Sequence, residues 1–304
     1  MMEYVLQTKN LRKKYRDFEA LRGLDMHVPQ GSIYGFVGKN GAGKTTLFRQ
    51  VCGLQEPTSG EYLLYGRSSR QKDIIRSRKR MGAVVETPSI YREMTAEDNL
   101  KQQYRILGLP SFDDIPELLK LVGLEHTGKK KAKNFSLGMR QRLGIAVCLA
   151  GNPDFLMLDE PINGLDPEGI IEIRELILKL NREQGITILI SSHILDELAK
   201  IATHFGFIDR GKIVQEITAK ELEHECRKRT RIVVTNASAF SQTLDESGLE
   251  YTMLSGAEAN VYGEIDITGL VLKLAERDCR VVSFAEQEEN LESYFMNLVG
   301  ARKK

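Results

Sequence analysis

Apolar residues recur along the chain with two different periods, and the switches between them outline its organisation. Over residues 3–37 short apolar runs alternate with polar turns (EYVLQTKNL, KKYRDFEALRGLDMHV, IYGFVG), which predicts antiparallel strands leading into a buried strand at 33–37. A glycine-rich stretch follows, and then TTLFRQVCGL, whose apolar positions fall at helical spacing. Residues 56–60 read as a turn, 61–65 as a strand, 70–80 as a basic connector and 81–85 as a second buried strand. From Thr95 the pattern turns helical: Thr95-Ala96-Glu97-Asp98 has the form of a capping box, and Leu100, Tyr104 and Leu107 share one face. Helices at 115–122 and from Ser136 onward, the latter carrying Leu143, Val147 and Ala150, complete a helical segment over about residues 88–152.

Strands then resume. Residues 154–159 form an apolar run ending in two acids, Asp159 and Glu160. Asp166 suits an N-cap with Pro167 at the first helical position, and Ile173, Leu176, Ile177 and Leu180 follow at helix spacing. Gly185 ends that helix, 186–190 reads as a strand, and Ser191-Ser192-His193 falls at its carboxyl end. A hairpin is expected over 205–208 and 212–217. Beyond Ile217 the character changes to a charged helix at 218–228, then strand 231–235, helix 238–247, strands 250–254 and 259–265, helix 269–277, strand 280–285 and helix 288–299. That βαββαβ order suggests a small ferredoxin-like α+β domain, so two domains are expected, 1–217 and 218–304.

Composition narrows the partners. A formal net charge of +1, with both signs spread along 304 residues, gives no electrostatic case for nucleic acid. The dense basic runs, Arg76-Ser77-Arg78-Lys79-Arg80 and Lys129-Lys130-Lys131-Ala132-Lys133, read as solvated faces, with an acidic partner helix as the alternative. No apolar run reaches the roughly 18–20 residues of a membrane span, and Met1-Met2-Glu3 opens without a signal-peptide pattern, so a cytoplasmic location is expected. Cys52, Cys148, Cys226 and Cys279 are far apart and read as small buried hydrophobes.

The chemistry centres on Gly38-Lys39-Asn40-Gly41-Ala42-Gly43-Lys44-Thr45-Thr46, between a buried strand and a helix. Glycines let successive N–H groups converge on an anion, and the following helix adds its unpaired donors and positive dipole end. In such a phosphate cradle Lys44 reaches the β and γ phosphates and Thr45 offers its hydroxyl to Mg²⁺.

Four further elements appear in order. They are the stretch Phe135-Ser136-Leu137-Gly138-Met139-Arg140-Gln141-Arg142, the strand ending in Asp159-Glu160, Asn163-Gly164-Leu165-Asp166, and His193. Each has a plain structural reading: a strand ending in acids is common, His193 alone suits a hydrogen-bonded structural histidine, Ser136 caps a helix, and Tyr15 packs in a core. Together, over about residues 3–215, they resemble the nucleotide-binding subunit of an ABC transporter.

The resemblance implies a P-loop NTPase with a RecA-like core, an antiparallel β subdomain and a helical subdomain. It also implies ATP and Mg²⁺ as ligands. Asp159 would order the Mg²⁺ shell, Glu160 would polarise the attacking water, and His193 would contact the γ phosphate. Tyr15 would stack on adenine; Ser136 and Gly138, with Asp166, would close over the phosphates held by a second copy of the chain. An integral membrane permease would be the other partner, with the subunit peripheral on the inner face of the membrane.

Two departures narrow the class. Glu86 stands where most of the family has a glutamine that contacts Mg²⁺, and SLGMRQR replaces SGGQ-x-QR. Both resemble the bacitracin-resistance and lantibiotic-immunity exporter group, with Glu86 a Mg²⁺-linked coupling residue; a solvated loop acid is the alternative. A non-transport ABC ATPase, of the DNA-repair or ribosome-associated kind, is the competing function. Neither a long heptad insertion nor a second cassette is present to support it.

Overall fold

A computed structural model describes residues 3–227, 229–263, 265–287 and 291–300. The chain divides into two compact units, Met1–Ala219 and Lys220–Lys304. In chain order the first runs β1 (Tyr4–Tyr15), β2 (Phe18–Pro29), β3 (Ile33–Val37), α1 (Lys44–Val51), β4 (Ser59–Leu64), β5 (Arg67–Ser68), α2 (Ile74–Arg78) and β6 (Met81–Val84). It continues through α3 (Ala96–Leu107), α4 (Ile115–Leu121), α5 (Leu137–Leu149), β7 (Phe155–Asp159), α6 (Pro167–Gln184), β8 (Thr187–Ser192), α7 (Leu195–Ala199), β9 (His204–Asp209) and β10 (Lys212–Thr218). The strand β10 ends at Thr218, one residue past the expected boundary at 217, and the division falls after Ala219.

Two sheets organise this unit. Strands β2-β1-β4-β5 form an antiparallel sheet, and β10-β9-β3-β8-β7-β6 form a second in which β9, β3, β8, β7 and β6 are mutually parallel. Every residue of β3, β7 and β8 is buried, as expected of parallel strands covered on both faces. The helix α1 joins the two sheets: Leu47, Phe48 and Val51 pack in one core with Leu6, Leu21, Leu24 and Tyr62 from the antiparallel sheet and Phe36, Phe155 and Met157 from the parallel one. Burying a side chain such as Phe48 contributes roughly 1.5–3 kcal/mol, so the helix behind the glycine-rich loop is firmly seated.

Local signals account for the helix ends. Thr95 and Asp98 form the capping box at the start of α3, and Asp166 caps α6 ahead of Pro167. Gly185, at φ 68°, ends α6 in the left-handed conformation a glycine adopts without strain. The helical segment lies against β6 through α5, so closely that a Cβ on Gly82 would fall 2.8 Å from the Cys148 carbonyl oxygen.

Two stretches depart from the sequence pattern. The basic connector at 70–80 contains α2, whose two buried residues, Ile74 and Ser77, are too few for a periodic signal among its arginines. The expected strand at 186–190 extends to Ser192, and the short α7 follows His193, anchored by buried Leu195 and Leu198.

The helix α8 (Ala219–Glu225) spans the boundary between the units. The second unit continues with β11 (Arg229–Val234), α9 (Ala237–Glu246), β12 (Tyr251–Ser255), β13 (Glu258–Tyr262), α10 (Ile267–Ala275), β14 (Val281–Gln287) and α11 (Leu291–Gly300). Its antiparallel sheet has the order β12-β13-β11-β14, over a core that includes Ile232, Phe240, Leu244, Val261, Leu270 and Leu274. Residues 288–290 of the helix expected at 288–299 lie outside the described residues. So do Lys228 of the expected charged helix and Glu264 of the strand expected at 259–265.

Candidate functional site

Because β3, β8, β7 and β6 are parallel and adjacent, the loops that leave their carboxyl ends emerge along one sheet edge, where α/β folds form clefts. The loop after β3 is the glycine-rich one. Gly43 has φ 114°, and a Cβ there would lie 2.7 Å from the Ala20 carbonyl oxygen, so only glycine fits. It is also the N-cap of α1 and supplies no capping side chain, which leaves the first helical N–H groups to face an anion.

Lys44 is buried, with 6% of its surface exposed. Its ammonium donates to the carbonyls of Gly38 (2.6 Å) and Lys39 (3.3 Å) and lies 3.2 Å from Glu160 Oε1. Around it is a recess of about 230 Å³ lined by Phe18, Ala20, Asn40, Gly41, Gly43, Lys44, Thr45, Thr46 and Glu160. Two larger clefts, of about 710 and 700 Å³, border the helical segment and the β6 edge; neither contains the loop lysine or the paired acids. The chemistry therefore points to the smaller recess.

Asp159 ends β7 and is 1% exposed. Its Oδ1 accepts from the Ser191 hydroxyl at 2.6 Å, whereas its enclosed Oδ2 has no hydrogen-bond partner. Burial pushes this carboxyl above the ordinary aspartate range, against the hydrogen bond from Ser191 and the nearby Thr45 hydroxyl, which lower it. An orphaned carboxylate oxygen beside a threonine hydroxyl is a hard-oxygen donor set suited to Mg²⁺, which takes few protein ligands and fills its shell with water and phosphate oxygens. No cluster of three acidic, histidine or cysteine side chains that could hold a metal exists among the described residues.

Glu160 adopts φ 52°, a left-handed conformation that is costly for a residue with a Cβ. Its N–H donates both to the Ser191 carbonyl (3.2 Å) and to the Ser191 hydroxyl oxygen (2.9 Å). The carboxylate is held on two sides: Oε1 by Lys44, and Oε2 by His193 through the ring Nδ1 (2.7 Å) and the backbone N–H (3.3 Å). His193 is positioned by the end of β8, where the Ser192 hydroxyl accepts from the Ile194 N–H at 2.9 Å and turns the chain out of the strand.

The structure thus gathers the glycine-rich loop with Lys44 and Thr45, Asp159, Glu160 and His193. Tyr15, Glu86, Ser136, Gly138 and Asp166 do not line the recess. Ser136 caps α5 by accepting from the Met139 N–H (3.1 Å), and Asp166 caps α6 by accepting from the Gly169 N–H (3.1 Å). These two helix starts adjoin, since a Cβ on Gly138 would be 3.8 Å from Gly169 Cα and one on Gly164 would be 3.4 Å from the Leu137 side chain. Glu86, also left-handed at φ 62°, directs its carboxylate to Arg49 of α1 at 2.5 Å. Tyr15 is partly exposed, with its hydroxyl bonded to Gln55 and the Lys13 ammonium 5.3 Å from its ring.

Three participants escaped the sequence reading: Ser191, Arg49 and Phe18. Of these, the sequence reading names Ser191 only as part of Ser191-Ser192-His193 at the carboxyl end of a strand. Burial pushes the thiols of Cys52 and Cys148 up to about 12, so neither is a ready nucleophile.

Comparison with known proteins agrees with this geometry. A family model described as ABC transporter matches residues 21–163. The bacitracin transport ATP-binding protein BcrA of Bacillus licheniformis is 39% identical over 304 residues, covering 98% of both chains. The lantibiotic transport ATP-binding protein SrtF of Streptococcus pyogenes is 43% identical over 212 residues, 70% of this chain and 90% of the relative. Among solved structures, the dimeric bacterial ABC transporter cassette MJ0796 superposes with a TM-score of 0.64 at 25% identity, covering 70% of this chain and 98% of that one.

Proposed function

The chain belongs to the ABC transporter family of ATP-binding proteins, and from that premise we propose that it hydrolyses ATP to drive export of peptide antibiotics through a membrane permease. The observation that carries the catalytic part is the pair of acids ending β7: buried Asp159 with an unpaired oxygen beside Thr45, and Glu160 gripped between Lys44 and His193.

The triphosphate enters the recess over α1, where the loop N–H groups and the ammonium of Lys44 meet its oxygens. Lys44 exchanges its contacts with the Gly38 and Lys39 carbonyls for the β and γ phosphates. Thr45 and Asp159 would hold Mg²⁺, which would supply positive charge to the phosphate oxygens. Glu160 accepts a hydrogen bond from the attacking water and holds it in line with the γ phosphorus; the bridging oxygen leaves with ADP. His193 keeps the Glu160 carboxylate aimed and offers a donor toward the γ phosphate. Tyr15 supplies an aromatic face for adenine.

The adjoining starts of α5 and α6, with Ser136, Gly138 and Asp166, complete the site of a second copy; the dimeric cassette among the solved structures supports that arrangement. No described helix is long and apolar enough to cross a membrane. The likeness to transport ATP-binding proteins supports a place at the inner face of the membrane against a separate permease. For the second unit, the βαββαβ order and the sheet order β12-β13-β11-β14 support a ferredoxin-like α+β reading.

The substrate class rests on the likeness to bacitracin and lantibiotic transport proteins, reinforced by Glu86 and the SLGMRQR stretch. Co-expression of the chain with its permease in a sensitive bacterium raises the inhibitory concentration of bacitracin or of a lantibiotic. Equal inhibitory concentrations with and without the chain would remove the peptide-antibiotic reading and leave the ATPase intact.

Glu86 is assigned a coupling role at the Mg²⁺ edge of the site, switched through its pair with Arg49. That pair is exposed, at 36% and 54%, so breaking it changes stability by only about 0–1 kcal/mol. Glu86→Gln therefore leaves the fold intact and changes permease-stimulated hydrolysis several-fold, by about the 2–5-fold that 0.5–1 kcal/mol corresponds to. Hydrolysis measured with and without permease in proteoliposomes checks this; two rates equal to those of the unaltered chain end the coupling role.

A further inference from the structure

Ser191 is the penultimate residue of β8 and fully buried, flanked by β3 and β7. Parallel strands in such positions favour Val and Ile, and a hydroxyl placed there must find partners or lower stability. It finds two on consecutive residues. The hydroxyl proton goes to Asp159 Oδ1 at 2.6 Å, and an oxygen lone pair receives the Glu160 N–H at 2.9 Å.

Both bonds have consequences for the site. The first occupies Oδ1 and resists rotation of the carboxylate, so that Oδ2 is the oxygen left without a partner. The second, with the Ser191 carbonyl at 3.2 Å, clasps the Glu160 peptide where the backbone takes its left-handed turn. That turn sends the Glu160 carboxylate to Lys44 and His193.

We infer that Ser191 is a positioning residue that sets both acids with one hydroxyl, orienting Asp159 toward the divalent cation and holding the backbone that aims Glu160. This rests on the assignment of Asp159 to Mg²⁺ and of Glu160 to the attacking water. Residues that orient a metal ligand through hydrogen bonds typically change metal affinity by about 10–100-fold when removed.

The test measures Mn²⁺ binding to the full chain by electron paramagnetic resonance, in the presence of a non-hydrolysable ATP analogue, beside kcat and KM for Mg·ATP. Ser191→Ala weakens Mn²⁺ about tenfold and lowers kcat about tenfold, with metal-free nucleotide affinity unchanged. Ser191→Thr, which keeps the hydroxyl, restores Mn²⁺ affinity. If Ser191→Ala does not fold, Ser191→Cys has nearly the same size and a weaker donor, and weakens Mn²⁺ to an intermediate degree. Unchanged Mn²⁺ affinity in the folded Ala or Cys variant, with or without a fall in Tm, overturns the inference. Asp159→Asn separates the two layers. If it too leaves Mn²⁺ affinity unchanged, the assignment of Asp159 fails; if it abolishes Mn²⁺ binding while Ser191→Ala does not alter it, only the role of Ser191 fails.

Discussion

Glu160→Gln lowers kcat for ATP hydrolysis by about 10²–10⁴-fold, the usual contribution of a positioned general base, while ATP continues to bind. The substitution keeps the length and shape of the side chain and removes its charge. In the native site that charge is set between the Lys44 ammonium at 3.2 Å and the His193 ring at 2.7 Å, so the glutamine retains the packing while losing the acceptor strength that holds water in line. Binding persists because the groups that face the phosphates, the loop N–H donors and Lys44, are untouched. With cleavage blocked, nucleotide stays at the junction of two copies, and the variant elutes as a dimer at saturating ATP and Mg²⁺. Size-exclusion chromatography with and without nucleotide reads this directly. Elution as a monomer under those conditions counts against the two-copy site, and unchanged kcat counts against Glu160.

Lys44→Ala weakens nucleotide binding by about 30-fold to more than 1,000-fold, from the 2–5 kcal/mol typical of removing one partner of a buried charge pair. Several features make this side chain hard to replace. It is 6% exposed, its ammonium already lies among carbonyl acceptors at 2.6 and 3.3 Å, and it leaves the helix start where the positive dipole end adds to its field. Truncation also strips Glu160 of one of its two partners, so residual hydrolysis falls together with affinity. Calorimetric titration with ATP and Mg²⁺ measures the loss, and an affinity equal to that of the unaltered chain would remove the phosphate-cradle assignment. Lys44→Arg is no rescue, because a planar guanidinium does not fit the enclosed position of the ammonium.

Much of the fold was legible because its signals are short in range. The capping box of Thr95 and Asp98, the Asp166-Pro167 start of α6 and the Gly185 stop each act within three or four residues, so sequence spacing states the geometry directly. The apolar stretches within β3, β7 and β8 likewise declare strands buried on both faces. Where the local signal is weak the reading fell short: α2 and α7 have five residues each, too few for helical periodicity to stand out. The site residues named from sequence were those carried by a contiguous motif or by the ABC transporter resemblance. Ser191 and Arg49 belong to no such motif, and their importance follows from partners far along the chain, Asp159 with Glu160 for the first and Glu86 for the second; Phe18 enters through the lining of the recess.

By itself, then, the sequence determined the glycine-rich loop with its lysine and threonine, the strand ending in two acids, the helix caps, and membership in a family of transport ATPases. Tertiary structure alone decided which oxygen of Asp159 is left unpaired, that Glu160 is shared between Lys44 and His193, and that Glu86 answers to Arg49. The physical reason is the order of the parallel sheet. Strands β9-β3-β8-β7-β6 are adjacent in an order that differs from their order along the chain, so backbone pairing places Ser191 directly beside Asp159 although 32 residues separate them. One-dimensional spacing carries no record of that adjacency.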